Sequence, residues 1–213
     1  MIHIFGDSFS DNLWPHILTE KTGIDHVNYS KTGETNLFIL TTLIENLNKF
    51  KKEDIIIIQT SGQGRLNVRD KVIYGDQVYY GLKNYPEKDL DDSECTIVED
   101  WYKHFYIPQI SLRDPYIDSI IHLSNHLSLT YKVILWNLTS LGSLELKNVN
   151  DNVETSPQIP HSNLWLPLSE GGSKGWVEII QERGLGCSDV DPHPSKDGNI
   201  FISQEIIKEI HRN

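Results

Sequence analysis

Two short segments at opposite ends of the 213-residue chain contain the residue types that nucleophilic catalysis needs. Ser8 follows a glycine and an aspartate at the end of the apolar stretch 2–5. A serine hydroxyl becomes a nucleophile only when a base removes its proton. His193, with a proline on each side, is a base of the right kind, and either Asp191 or Asp189 can hold its imidazole in the required tautomer. The residue types are therefore those of a Ser–His–Asp triad that performs acyl transfer. The alternatives are that Ser8 caps the helix after it and that His193 is a histidine of a surface loop.

The elements around these residues are predicted to bring them to one edge of a sheet. The stretch 2–5 is typical of a buried strand, and a helix is predicted from about 12 to 22, so that Ser8 lies in the turn between them. Such a turn exposes its side chains at the carboxyl end of the sheet, where open α/β folds bind ligands. The positive end of the helix is directed toward the same point. The prolines beside His193 stiffen its loop, and a helix predicted from Gly198 onward anchors that loop.

Strands and helices are predicted to alternate along most of the chain. The continuous apolar runs 55–58 and 133–136 are typical of strands that are covered on both faces. The predicted strands are 2–5, 27–29, 54–60, 131–138 and 163–168, and the predicted helices are 12–22, 36–49, 114–128, 174–183 and 198–212. This alternation predicts an α/β fold, with a mostly parallel five-stranded sheet and helices on both faces, in a single domain that spans 1–213.

The stretch 64–110 does not fit this alternation, because it is polar and rich in tyrosine, phenylalanine and tryptophan. Segments of this length in compact domains are usually functional or disordered, and the aromatic content favours a folded insertion or cap. Aromatic faces suit sugar rings, so Trp101 is a candidate for substrate contact; the alternative is a small additional core. Arg65 either binds an anionic group of the substrate or is a solvated loop residue.

The composition argues against several classes of partner. The formal charge is −11, from 19 basic and 30 acidic residues, and an acidic surface repels nucleic acids and anionic membranes. The two cysteines, Cys95 and Cys187, form neither a disulfide framework nor a metal motif. His122 and His126 lie four residues apart on a predicted helix, but no acidic residue completes a zinc motif. We therefore expect no metal. Neither a signal peptide nor a transmembrane stretch is recognisable, which predicts a cytoplasmic protein.

Three sequence elements together resemble the GDSL, or SGNH, hydrolase family in their order and spacing. They are Gly6-Asp7-Ser8-Phe9-Ser10, Gly33 with Asn36 after the second predicted strand, and Asp191-Pro192-His193-Pro194. The resemblance covers nearly the whole chain and implies a flavodoxin-like three-layer α/β/α sandwich. It implies that Ser8 and His193 are catalytic and that the backbone N–H groups of Ser8 and Gly33 help to bind the oxyanion. It also implies that no cofactor is needed.

The third sequence element of that family differs in this chain. In the family it usually reads Gly-x-Asn-Asp and its asparagine donates to the oxyanion, whereas the segment 59–65 contains no asparagine. Gln63 is a candidate amide donor in its place, and Asn67 is a weaker one. Asn36, in the second element, either contacts the substrate or caps the helix that begins there.

The spacing of the acidic residue before His193 also differs from that of the family. The family often places its aspartate three residues before the histidine, where this chain has Val190. Asp191, two residues before His193, is therefore the first candidate for the orienting carboxylate, and Asp189 is the second.

These residues together predict a serine hydrolase that cleaves a carboxylic ester through an acyl-enzyme. The expected substrate is a small-molecule or carbohydrate ester, with an acetyl group on a carbohydrate as the favoured case by family analogy. One alternative is an O-acyltransferase of the same fold. Another is a catalytically weak carbohydrate-binding or structural protein that keeps the fold, which the atypical third element favours.

Overall fold

The computed structural model describes residues 1–62, 65–68, 71–74, 93, 96, 115–137, 175–188 and 191–212. The strands are β1 Ile2–Phe5, β2 His26–Asn28, β3 Ile55–Thr60, β4 Arg65–Val68, β5 Lys71–Tyr74 and β6 Lys132–Asn137. The helices are α1 Trp14–Thr22, α2 Asn36–Asn46, α3 Pro115–Leu127, α4 Trp176–Glu182 and α5 Lys196–His211, and a 3₁₀ turn, Leu47–Lys49, follows α2.

Four of the strands form one parallel sheet in the order β2-β1-β3-β6. His3 of β1 lies beside Ile56 of β3, which in turn lies beside Val133 of β6. The predicted α/β class with a parallel sheet is therefore confirmed. The fifth predicted strand, 163–168, lies outside the described residues, so the sheet has four strands in the part of the chain that the structure describes.

Helices pack on both faces of this sheet because successive strand residues point to opposite sides. Ile57 belongs to an apolar cluster with residues of α1, α4 and α5, whereas the neighbouring Ile56 and Ile58 belong to a cluster with residues of α2 and α3. Burial of each isoleucine contributes about 1.5–3 kcal/mol. Burial on both faces explains the uninterrupted apolar run in β3 and produces the three layers that the sequence predicts.

The helix that follows the Ser8 segment ends where the sequence predicts. Gly23 terminates α1 in the left-handed conformation (φ +69°), and its N–H donates to the carbonyl of Thr19. None of the described helices is both long and apolar enough to cross a lipid bilayer.

The stretch 64–110 contains an antiparallel hairpin of β4 and β5, which the alternation of predicted elements did not reveal. Arg65 of β4 lies opposite Tyr74 of β5. Apart from this hairpin and residues 93 and 96, the predicted insertion lies outside the described residues, as does the stretch 139–173.

Candidate active site

The structure brings together Ser8, His193 and Asp191, the three residues predicted to form a triad. Nε2 of His193 lies 2.9 Å from Oγ of Ser8, and Nδ1 of His193 lies 2.6 Å from Oδ1 of Asp191. Because an ionised carboxylate only accepts, Nδ1 carries a proton, and in the neutral ring Nε2 then has a lone pair that faces the serine hydroxyl. This is the tautomer in which His193 can act as a base toward Ser8.

One carboxylate oxygen of Asp191 accepts two hydrogen bonds from His193. This oxygen, Oδ1, accepts the backbone N–H of His193 at 3.0 Å as well as the ring Nδ1–H. The backbone N–H first, and the ring second, lower the pKa of Asp191 below its ordinary value. Asp191 therefore stays ionised and supplies a counter-charge for a protonated imidazole. Asp189, the alternative orienting residue, lies outside the described residues.

Ser8 lies in a tight turn between β1 and α1. The N–H groups of Ser10 and Asp11 donate to the carbonyl of Asp7, at 3.0 and 2.8 Å, and Oδ1 of Asp7 accepts the N–H of Phe9 at 3.1 Å. Ser8 itself is 8% exposed, whereas the side chains of His193 and Asp191 are 42% and 48% exposed. Ser8 is therefore nearly buried, whereas the side chains of His193 and Asp191 face solvent.

Gly6 is required by close approach at the start of this turn. A Cβ atom at Gly6 would lie 2.6 Å from Oγ of Ser10 and 2.8 Å from Oε1 of Gln59, inside normal contact distance. The glycine therefore lets the side chains of Ser10 and Gln59 lie directly against the backbone after β1.

A buried polar layer supports the turn from beneath, and sequence reasoning missed its two main residues, Gln59 and Ser61. Nε2 of Gln59 donates to Oδ1 of Asp7, and Oγ of Ser10 donates to Oε1 of Gln59 at 2.5 Å. The hydroxyl of Ser61 lies 3.0 Å from Oδ2 of Asp7. Buried polar groups are retained when they are hydrogen-bonded to one another. The available signal was the change from isoleucine to polar residues at the end of an otherwise apolar strand.

Asn36 bonds the backbone of Ser61 rather than facing solvent. It is 1% exposed; its Oδ1 accepts the N–H of Ser61 at 2.7 Å, and its Nδ2 donates to the carbonyl of Ser61 at 3.3 Å. The N-cap of α2 is Thr35, whose hydroxyl accepts the N–H of Phe38. Asn36 therefore fixes the backbone of Ser61 directly after β3.

Gly33 lies in a turn between β2 and α2 with φ +81°, a conformation that favours glycine. This turn is joined to the Ser8 turn by several hydrogen bonds. Nδ2 of Asn28 donates to the carbonyl of Ser10 at 2.7 Å, and the N–H and hydroxyl of Thr32 donate to Oδ2 of Asp11 at 3.1 and 2.9 Å. The predicted nucleophile and oxyanion turns are therefore one connected unit.

The other predicted site residues are described only in part. Arg65 begins β4, but its side chain is not among the described groups, and neither is that of Asn67. Gln63 and Trp101 lie outside the described residues. In the described part of the chain, no three His, Cys, Asp or Glu side chains are grouped so that they could hold a metal ion.

The loop that carries His193 is held by backbone pairing with the segment after α4. The N–H of Cys187 donates to the carbonyl of His193 at 2.8 Å, and the N–H of Ser195 donates to the carbonyl of Leu185 at 2.9 Å. The hydroxyl of Ser195 then caps α5 by accepting the N–H of Gly198. Backbone hydrogen bonds therefore hold the chain at His193 and just after it, so that His193 does not lie in a free loop.

Asn199 connects this loop to the Ser8 side of the site. Its Nδ2 donates to the carbonyls of Pro194 and Ser195, at 3.0 and 2.9 Å, and its Oδ1 accepts the N–H of Trp14 at 2.9 Å. The indole of Trp14 donates to the carbonyl of Phe9 at 2.7 Å. Sequence reasoning missed Asn199, because its partners are set by the packing of α1 on α5.

Similarity to known proteins lies in the structure and not in the sequence. No protein-family model matches the chain, and no curated protein matches it. Two solved structures that resemble it are a G-D-S-L family protein from Desulfitobacterium hafniense DCB-2 (17% identity, 98% of each chain, TM-score 0.48) and the lipase Lip_vut3 from a goat rumen metagenome (18% identity, 98% of this chain and 96% of that chain, TM-score 0.44). A member of the lipolytic protein G-D-S-L family from Veillonella parvula DSM 2008 is 16% identical over 100% of this chain and 98% of that chain, with a TM-score of 0.51. The chain therefore shares the fold of a G-D-S-L family protein, as its sequence predicts.

Proposed function

We propose that this protein is a serine hydrolase that cleaves carboxylic esters through an acyl-enzyme. The observation that carries the proposal is the continuous hydrogen-bonded chain from Asp191 through His193 to Ser8, at 2.6 and 2.9 Å. Such a chain activates a serine and stabilises the imidazolium that forms when the serine loses its proton. The fold shared with a lipolytic G-D-S-L family protein is consistent with the same reaction class.

The reaction follows from the roles that the geometry allows. Oγ of Ser8 attacks the ester carbonyl while Nε2 of His193 takes the hydroxyl proton. The negative charge moves to the carbonyl oxygen, which the backbone N–H groups of Ser8 and Gly33 are proposed to bind. When the C–O bond breaks, His193 returns the proton to the leaving alcohol. Water then repeats the sequence on the acyl-enzyme, releasing the acid and restoring Ser8.

The substrate that we propose is a small acyl ester, with an acetyl group on a carbohydrate as the first choice. Aromatic residues of the stretch 64–110, Trp101 among them, would contact the sugar ring, and Arg65 would meet an anionic substituent. Gln63 would complete the oxyanion site in place of the asparagine in the family pattern. Replacing Trp101 with alanine is therefore expected to change the preference between sugar esters and simple esters more than it changes the melting temperature.

Covalent labelling provides the direct test. The parent protein is expected to react with a fluorophosphonate probe and to release p-nitrophenol from p-nitrophenyl acetate, because a hydroxyl paired with a base attacks phosphorus as it attacks a carbonyl. Ser8→Ala should fold and do neither. Ser30→Ala is the matched control: the buried Ser30 hydroxyl has no hydrogen-bond partner among the described residues, and its removal should leave both reactions intact.

Two results would contradict the proposal: a parent protein that takes no label, or labelling that persists in Ser8→Ala. The transferase alternative is tested in the same assay by adding a sugar acceptor. If acetyl transfer to the sugar were faster than release of acetate, the proposed reaction would become acyl transfer instead of hydrolysis, and the proposed role of Ser8 would stay the same.

A further inference from the structure

A carboxylate in the nucleophile turn holds the neighbouring turn that contains Gly33. The N–H of Asp11 donates to the carbonyl of Asp7, so Asp11 is itself part of the Ser8 turn. Its Oδ2 accepts two hydrogen bonds from one residue, the N–H of Thr32 at 3.1 Å and the Thr32 hydroxyl at 2.9 Å. We call this pair of bonds the Asp11 clamp.

The clamp acts on the residue directly before Gly33. Other hydrogen bonds to the Gly33 turn are made on either side of Thr32: the N–H of Lys31 is 3.3 Å from the carbonyl of Gly6, and the hydroxyl of Ser61, at the end of β3, is 2.9 Å from the carbonyl of Glu34. Within the described residues, both hydrogen bonds made by Thr32 itself end on Asp11.

The geometry of the backbone carries this restraint to the next N–H. The peptide unit between Thr32 and Gly33 is planar, so it contains the Gly33 N–H and moves as one body. Once the nitrogen and the hydroxyl of Thr32 are held, a single backbone torsion separates the anchored atoms from that N–H. Gly33, with φ +81°, does little by itself to fix the direction of this N–H, because glycine tolerates many backbone conformations. The restraint on this N–H therefore comes from the residues on either side: Thr32, and Glu34, whose N–H donates to the carbonyl of Lys31 at 3.4 Å. Thr32 is the one of the two that is tied to the Ser8 turn.

We propose that Asp11 is a positioning residue that sets the place of the Gly33 N–H relative to Ser8. The proposal rests on the function proposed above, in which this N–H binds the oxyanion. A donor of this kind works through its position at the developing charge, and a displacement of about 1 Å can lower a rate by up to about a hundredfold. The clamp is charge-assisted, and such bonds are stronger than neutral ones.

The test compares the full-length parent with Asp11→Ala, Asp11→Asn, Thr32→Val and Thr32→Ser on p-nitrophenyl acetate. Asp11→Ala is expected to lower kcat about tenfold with KM changed less than about twofold, because the donor acts on the transition state. Asp11→Asn keeps an acceptor oxygen and should lose less. Thr32→Ser should retain more activity than Thr32→Val, which removes only the hydroxyl bond. Asp25→Asn, at another exposed carboxylate, controls for the change in net charge.

A second readout does not depend on turnover. The Thr32 amide is in an exposed residue, so its hydrogen exchange in the parent should be slowed mainly by its bond to Asp11. Asp11→Ala should speed exchange at Thr32 by about tenfold or more while leaving exchange in β3 unchanged. This measurement shows whether the clamp has been released without global unfolding.

The outcomes separate this inference from the proposed function. A parent that is labelled and active, with faster Thr32 exchange in Asp11→Ala but an unchanged kcat, would overturn the positioning role and leave the hydrolase intact. A rise in KM at constant kcat would also overturn it, because the clamp would then shape substrate binding. A parent that takes no fluorophosphonate label would contradict the hydrolase itself, and the inference with it.

Discussion

At the residue scale, the two-residue spacing between Asp191 and His193 is explained by one bond. Oδ1 of Asp191 accepts the N–H of His193, which is the short turn that aspartate side chains form with the backbone two residues on. The same turn brings the carboxylate to 2.6 Å from the imidazole Nδ1. Pro192 between them restricts the backbone and donates no hydrogen bond of its own. A carboxylate two residues before the histidine is therefore able to orient it.

Exchanging the carboxylate of Asp191 for an amide tests this assignment. Asp191→Asn is expected to lower kcat by at least about a hundredfold, because the imidazole loses both its tautomer preference and its counter-charge. Asp189→Asn should cost less than about tenfold. The measurement is kcat of both variants on one ester, with thermal melting to confirm that each is folded. If the Asp189 variant were the damaged one, the orienting role would pass to Asp189; if neither were damaged, the site would be a Ser–His dyad.

The pH dependence of the same reaction follows from the charges of the pair. The pKa of Asp191 is lowered, so its carboxylate remains ionised below the pH at which a free aspartate is protonated. Activity should nevertheless fall on the acid side, because a protonated His193 cannot accept the Ser8 proton.

At the scale of elements, the two ends of β3 make different polar contacts. The carboxyl end contributes the buried polar residues near Ser8. At the amino end, Asp54, the residue just before β3, forms hydrogen bonds to residues in and next to β1. The Asp54 carboxylate accepts hydrogen bonds from the terminal amino group of Met1 at 3.0 Å and from the N–H of Lys51 at 2.8 Å. It also lies 3.1 Å from Nε2 of His3. Burial raises the pKa of Asp54, but the hydrogen bonds from Lys51, the terminal amino group and His3 outweigh it and lower the pKa to about 2.

This lowered pKa predicts an acid-dependent loss of stability. Asp54 binds a proton more weakly in the folded chain than in the unfolded one, so its contribution is complete above about pH 4 and is lost as the pH falls through about 2. The lowering from 3.8 to about 2 corresponds to about 2 kcal/mol. The free energy of unfolding of Asp54→Asn should therefore differ from that of the parent at pH 6 and converge with it near pH 2. Glu53→Gln, at an exposed neighbour, should show no such convergence, and an equal difference at both pH values would exclude this role for Asp54.

At the scale of the whole molecule, the site depends on the meeting of the two ends of the chain. Ser8 and His193 are separated by 185 residues, and so are Trp14 and Asn199. The 2% exposed Asn199 sits where α1 and α5 come together, with one bond to the Ser8 side and two to the His193 side. The distance between Ser8 and His193 is thus set by the contact of the first helix with the last.

Removing this connection should affect both stability and activity. Asn199→Ala is expected to lower the free energy of unfolding by about 1–3 kcal/mol, because it leaves the buried Trp14 N–H without its acceptor and takes the amide donor from the Pro194 carbonyl. It should also lower kcat by about tenfold or more. Asn46→Ala is a matched control, since Asn46 is buried and, in the described part of the chain, its side chain donates to the carbonyl of Thr42 in its own helix. Comparable losses of kcat in the two variants at equal stability would show that Asn199 has no specific role in the site.

The sequence by itself determined the fold class, the first three strands and the end of α1 at Gly23, and it singled out Ser8 and His193, with Asp191 or Asp189, as candidates for a triad. These features are local: a run of isoleucines, a glycine after a helix and an aspartate two residues before a histidine each have a meaning within a few neighbouring residues. Only the tertiary structure decided that Gln59, Asp11 and Asn199 support the site, and that Asn36 braces Ser61. Their hydrogen bonds join segments from 21 to 185 residues apart. Partners so distant leave no periodic pattern in the chain, because folding alone makes them neighbours.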